Sequence, residues 1–183
     1  MTFVPGVNPT RVLNQLGVKE VTYYDQASFE QDFNYRDTLL ENELNYRSGE
    51  NEPLSEGDIV LSNSLQLVTM VGKSNVGKVL TVNFTKIEIN NELIDNKYFL
   101  YLFNSSRDVR RQKERELQGS GPILKIPLRA LGEIIVPLVS MEEQKKIGAI
   151  YVETIKLQNK LNEYSNLLEQ FTNAVLEENL KEE

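Results

Sequence analysis

The last quarter of the chain leaves few choices. Between Ser140 and about Leu180 there is no proline, and Gly148 is the only glycine. Apolar residues return at heptad spacing. One column holds Ile147, Leu161, Leu168 and Val175, with Thr154 as its polar member; the other holds Ile150, Leu157, Tyr164 and Phe171. A 3.5-residue seam belongs to a helix that packs along another long helix. Ser140 and Glu143 have the spacing of a capping box, in which each side chain satisfies the other's orphan amide. About forty residues at 1.5 Å each make a rod of roughly 60 Å. A rod that long cannot bury its stripe on the small globule that the rest of the chain can form. The expected layout is therefore a globular domain over 1–139 and a long dimerisation helix over 140–183. The expected contacts to a partner helix are Ile147, Ile150, Leu157, Leu161, Tyr164, Leu168, Phe171 and Val175.

Composition removes whole classes of chemistry. The 183 residues include no cysteine and no histidine. Without them there is no disulfide framework, no thiolate or imidazole metal ligand, and no histidine base. The expectation is a non-catalytic chain with no metal and no cofactor of its own. No stretch of eighteen apolar residues occurs, and the start MTFVPGVNPTR has no signal-peptide pattern, so a soluble, cytoplasmic protein is expected.

The net charge of −7 is unevenly spread. Residues 20–58 carry eleven acids, from Glu20 to Asp58, against Arg36 and Arg47, a balance of −9. Residues 59–131 carry eleven bases against six acids, a balance of +5. Contact with phosphate depends on local potential, so the second stretch is compatible with a basic face despite the acidic total. The acidic stretch reads as solvated surface.

The middle of the chain alternates strand and helix signals. Val21–Tyr24, Asp58–Asn63, Leu65–Val71 and Lys78–Ile89 read as strands, with Gly72–Gly77 as a hairpin-like link between the last two. Asp95 or Asn96 starts a helix over Lys97–Leu117, which Gly119-Ser120-Gly121-Pro122 stops. Ile123–Ile126 and Glu133–Val136 read as short strands around one helical turn at Pro127–Leu131. The first twenty residues read as an extended start, with a short helix at Arg11–Leu16. The fold class is α+β: a mixed α/β domain followed by a long coiled-coil helix.

Three motifs invite a functional reading. Gly72-Lys73-Ser74-Asn75-Val76-Gly77-Lys78 has phosphate-loop spacing, but Val79 stands where a magnesium-binding Ser or Thr belongs, and Lys78 opens a strand rather than a helix. A glycine-hinged loop offering Lys73, Ser74, Asn75 and Lys78 to DNA, or only to solvent, fits better. The run Arg107 to Arg115 places Arg107, Arg111 and Arg115 on one helical face, with Arg110, Gln112 and Lys113 nearby. Such spacing suits phosphate contacts, and equally a solvated helix end with cations at the C-terminal dipole. The Gly119–Gly121 loop with Ser120 permits close backbone approach to a ligand, or is simply a turn. Arg11 is a further candidate DNA contact.

Taken in order, these pieces resemble a known family. Gly57-Asp58-Ile59-Val60-Leu61-Ser62 is followed by Val76-Gly77-Lys78-Val79. Next come Asp95 to Ser105 with its aromatic run, then Gly119-Ser120-Gly121. Ile126-Pro127-Leu128, Ile135-Val136-Pro137-Leu138 and Met141-Glu142-Glu143-Gln144-Lys145-Lys146-Ile147 close the series. This succession, over about 57–180, resembles the DNA specificity (S) subunits of type I restriction–modification systems. The resemblance implies a target-recognition domain that reads part of a split site in double-stranded DNA. It also implies a long helix that sets the distance to a second recognition domain. Partner methyltransferase (M) subunits would carry S-adenosylmethionine, and restriction (R) subunits could join them. With one domain and one rod here, it implies a half-subunit that pairs through its helix as a homodimer. The alternative is an orphan interaction module that binds methylase or full specificity subunits, with little DNA binding of its own.

Overall fold

The computed structural model describes residues 1–9, 21–36, 52–119 and 124–181. Arg11, Ser120 and much of the acidic stretch lie outside these residues. The elements are β1 (Thr2–Pro5), β2 (Tyr23–Tyr24), α1 (Gln26–Phe33), β3 (Ile59–Ser62), β4 (Leu67–Met70), β5 (Val79–Leu80), β6 (Phe84–Glu88), α2 (Asn96–Ser105), α3 (Arg107–Glu116), α4 (Leu128–Gly132) and α5 (Met141–Lys181). The class is α+β, as the sequence implies.

β3 explains the arrangement. All four of its residues are buried, because it lies inside an antiparallel sheet of order β1-β6-β3-β4 with material on both faces. Side chains alternate along a strand. Ile59 and Leu61 therefore join one core with Val68, Ile87, the aromatic face of α2 (Tyr98, Phe99, Phe103) and Leu131. Val60 joins the other core, with Tyr24, Phe29, Leu54, Val71 and Phe84.

Several expectations from the sequence need correction. Lys78–Ile89 is two strands, and β5 leaves the main sheet to pair in parallel with β2 through Tyr23↔Val79. Residues 72–77 therefore link two sheets and are not a hairpin. The break at 81–83 comes from the N-terminal segment. Gly6 lies so close to Thr81 that a Cβ there would sit 2.1 Å from the Thr81 carbonyl oxygen, and the Val82 amide donates to the Val7 carbonyl. The single helix over 97–117 is two helices, broken at Ser106, whose backbone is extended (φ −62, ψ 126). Of the two C-terminal strands, 133–136 forms none, and 124–126 contributes only an isolated bridge, Gln118↔Lys125.

The long helix α5 is one continuous element of 41 residues. Its start is the expected capping box: the Ser140 amide donates to Glu143 Oε2 and the Glu143 amide to Ser140 Oγ, both at 3.3 Å. The next residue does what the spacing could not reveal. Gln144 is 2 % exposed. Its Oε1 accepts from the Asp95 amide (2.9 Å), and its Nε2 donates to the carbonyls of Leu93 (3.1 Å) and Val139 (2.9 Å). One turn on, Gly148 meets the first turn of α2; a Cβ there would lie 2.6 Å from the Tyr98 amide nitrogen and 2.7 Å from Lys97 Cβ. Ile147 and Tyr151 pack against the core, so Ile147 belongs to the globule and not to the seam. Replacing Gly148 with alanine is expected to lower stability by about 1–3 kcal/mol by forcing the helices apart. Gln144→Ala is expected to cost about 2–3 kcal/mol by leaving three backbone groups unpaired. Urea unfolding of the two variants measures both.

Candidate nucleic-acid interface

The 72–78 loop is organised from below by one carboxylate. Asp32, buried at the end of α1, accepts from Tyr24 Oη (2.7 Å), from the Gly72 amide (3.0 Å) and from Asn75 Nδ2 (2.7 Å). Asn75 is fully buried, and its amide nitrogen also reaches the Ser28 carbonyl. Its placement corrects the expectation that it faces DNA: its side chain anchors the loop. Lys78 donates to Ser28 Oγ at 2.8 Å, which is itself bonded to Asp25, the N-cap of α1. Lys73 is exposed and Ser74 partly so. The loop amides of Asn75, Val76, Gly77 and Lys78 all donate to carbonyls of the chain itself, and that of Gly72 to Asp32. A phosphate cradle needs free amides, and these five are already paired within the chain. Asp25 and Asp32, read from the sequence as solvated, are structural. So is Asp58, which pairs with Lys86 at 2.9 Å.

The basic run forms α3, and the structure sorts its cations. Arg107, Arg110, Arg111 and Arg115 are exposed. Lys113 is not: its ammonium donates to the carbonyls of Gln66 (2.9 Å) and Phe103 (2.6 Å) and lies 4.3 Å from the Phe103 ring centroid. The Phe103 carbonyl is free to accept because the break at Ser106 removes its helical partner. Lys113 is therefore a tie that fixes the angle between α2 and α3, which corrects its expected role at DNA. Burial pulls its pKa down to about 8. Gln112 is a second tie, donating to the Ile135 carbonyl (2.9 Å) and accepting from the Ile135 amide (2.8 Å).

These placements separate two groups that the sequence offered together. Lys113 is bonded at Gln66, just before β4, whereas the 72–78 loop follows its other end. At about 3.3 Å per residue the two are about 20 Å apart. The sheet end that carries α3 also carries a cleft of about 440 Å³, lined by Asn63, Thr85, Gln118, Gly119, Lys125 and Pro127 among others. Gln118 and Lys125 exchange both backbone bonds at 2.9 Å, leaving their side chains exposed. Sequence reading missed Asn63 and Lys125, because neither stands in a motif; only the sheet brings them beside Gln118.

A family model described as the type I restriction modification DNA specificity domain matches residues 14–170. The chain belongs to that family. The match reaches forty-odd residues further toward the N-terminus than the motif order, taking in α1 and its Asp32 network. Comparison with curated proteins gave no match. As a specificity domain, the protein is a DNA sequence-recognition component of a type I restriction–modification system. No described helix is long and apolar enough to cross a membrane. Among the described residues no cluster of three or more acidic side chains is arranged to hold a metal ion.

The rod of this specificity domain has two parts. Up to Glu163 one of its faces touches the globule; from Leu161 to Leu180 every residue is exposed. Ile150 (68 %), Leu157, Leu161, Tyr164, Leu168, Phe171 (67 %) and Val175 form a bare apolar stripe.

Lys113 yields a pH prediction. Its pKa is depressed in the folded protein, so below about pH 8 it is charged in both states and the burial cost is fully present. Between pH 8 and the ordinary lysine value the folded state sheds its proton first, and stability rises with pH. The wild-type chain is expected to gain up to about 3 kcal/mol relative to Lys113→Met across that window, read from denaturant midpoints at pH 7.5 and 10.

Proposed function

We propose that this chain is the non-catalytic DNA-reading part of a type I restriction–modification system. Its α3 end would lie on the duplex, and its rod would pair with the rod of a second copy. The observation that carries this reading is the division of labour along one chain. An arginine-bearing helix and an open cleft that Asn63, Gln118 and Lys125 help to line occupy one end of the sheet, and an uncovered heptad stripe runs down the rod beyond the globule. Arg107, Arg110, Arg111 and Arg115 suit phosphate contacts that fix position, while the exposed side chains of Gln118 and Lys125 offer donors and acceptors that can read base edges. The Asn63 carboxamide is tied to the Val82 carbonyl and the Thr85 hydroxyl. Lys73 and Lys78, at the far end of β4, would contact a phosphate only outside that footprint. The stripe supports a second copy as partner because its two columns of Ile, Leu, Tyr, Phe and Val are self-complementary. A two-fold pair would read a palindromic site with a fixed spacer. Methyltransferase subunits bearing S-adenosylmethionine would supply the reaction, and a restriction subunit would join where cleavage is part of the system.

Two experiments test this. Leu161→Asp combined with Leu168→Asp is expected to give monomers by sedimentation; an unchanged dimer mass would sink the rod pairing. Duplex binding is measured for the chain mixed with its methylase across a salt series. Arg107→Ala with Arg111→Ala is expected to weaken binding to all sequences alike and to reduce the slope of log K against log salt by about 2. By contrast, Gln118→Ala is expected to relax sequence preference. No DNA shift at any concentration of the mixture would favour a pure interaction module instead.

A further inference from the structure

The rod touches the globule at a second place, beyond its crossing with α2. Helix α1 ends in a Schellman motif: the Arg36 amide donates to the Gln31 carbonyl (2.9 Å) and the Tyr35 amide to the Asp32 carbonyl (3.1 Å). The left-handed position in such a motif usually holds glycine. Here it holds Tyr35, at φ 52. A side chain there costs about 1 kcal/mol or more, so the ring needs a compensating contact. It has one, because the corner faces the rod. Lys156 Nζ lies 5.6 Å from the Tyr35 ring centroid. Asn159 Nδ2 donates to the Asn34 carbonyl at 3.1 Å, and Arg36 Nε meets Glu163 Oε1 at 3.2 Å. Burial, with Tyr151 and Glu153 nearby, raises the Tyr35 hydroxyl above its ordinary pKa.

The lever arithmetic makes this contact matter. Gly148 and Asn159 are about 17 Å apart along the helix, and the rod runs about 50 Å from Gly148 to its end. The crossing with α2 holds the rod from Gln144 to Val152, and a helix held only there can pivot about it. A 10° pivot moves the far end by about 9 Å, more than two base-pair steps of about 3.4 Å. Contacts placed a lever arm away resist that pivot even when each is weak, because the crossing already holds both sides in place. The Arg36–Glu163 pair is half exposed on both sides and contributes little to global stability; its effect falls on direction.

We infer that the Asn34–Arg36 corner is a second bearing for the rod, and that Tyr35, Arg36, Asn159 and Glu163 are positioning residues that fix the angle between head and rod. Resting on the proposed rod-paired reader, they thereby set which spacer length the pair of heads accepts. The corner and the crossing belong to different elements, α1 and α2, so the bearing is a property of the tertiary fold.

The chain has no cysteine, so labels can be placed cleanly. Nitroxides at Glu114→Cys on α3 and Glu169→Cys on the rod report the head-to-rod distance within one protomer when labelled chain is diluted into unlabelled chain. Wild type is expected to give one narrow distribution. Arg36→Glu, which sets two carboxylates against each other, is expected to broaden or shift it with little change in melting temperature. Arg36→Glu with Glu163→Arg is expected to restore it, a rescue that a general loss of packing would not give. Tyr35→Gly, which relieves the backbone while deleting the ring, is expected to broaden it as well. Distributions for Arg36→Glu and Tyr35→Gly as narrow and centred as wild type would overturn the bearing. This readout needs no DNA, so it stands or falls apart from the recognition role. With methylase added, the broadened variants are expected to methylate sites whose spacer is one base pair too long or too short. Unchanged spacer selectivity in a variant with a broadened distribution would overturn the link to spacing.

Discussion

The crossing of α5 over the first turn of α2 is the contact on which the rest depends. Gly148 removes the one side chain that would hold the helices apart, and Gln144 completes the backbone hydrogen bonding of the segment that leads into α2. Were either replaced, the rod would lose its fixed origin, and no feature farther along it could act at a defined distance. The Glu142-Glu143-Gln144 series thus has a division of roles: Glu143 caps the helix, Gln144 ties it to the head, and Glu142 pairs with Lys146 at the surface.

The same device recurs. Asn104 on α2 donates to the Val68 carbonyl and accepts from the Val68 amide, both at 2.9 Å, so a side-chain amide completes the outer edge of β4. Gln112 on α3 does the same for Ile135, and Gln144 for Leu93 and Asp95. A carboxamide carries one donor group and one acceptor, the complement of a peptide unit. Each of the three helices uses one to hold a backbone segment that has no strand beside it, and buried backbone groups left unpaired would be costly. This is how Ile135, in a segment strand-like in composition, has both backbone groups paired without joining a sheet.

Charge follows a similar logic. The acidic stretch and the basic stretch looked like two surfaces of opposite sign. In the fold, Asp25 and Asp58 are engaged at the surface by a helix cap and by Lys86, the buried Asp32 holds loop amides, and Lys113 is spent inside on carbonyls. What remains outward on α3 is four arginines interleaved with Asp108, Glu114 and Glu116, so with Lys113 turned inward the helix surface carries less net positive charge than its sequence implied.

Sequence alone determined the rod, its capping box, its stripe from Ile150 to Val175 and the family, because these rest on local periodicity and on the order of short motifs. It also narrowed the start of α2 to Asp95 or Asn96, since an N-cap is a contact within three residues; the structure makes Asp95 the cap. Tertiary structure decided everything that depends on which face turns inward. It moved Ile147 from seam to core and Asn75 and Lys113 from surface to interior. It split one helix at Ser106 and one strand at 81–83. It set the 72–78 loop and α3 at opposite ends of β4, and it brought Asn63, Gln118 and Lys125 to one cleft. The reason is physical: burial and long-range pairing join residues tens of positions apart, such as Lys113 with Gln66 or Asn159 with Asn34, and no local pattern encodes which distant carbonyl a side chain will meet.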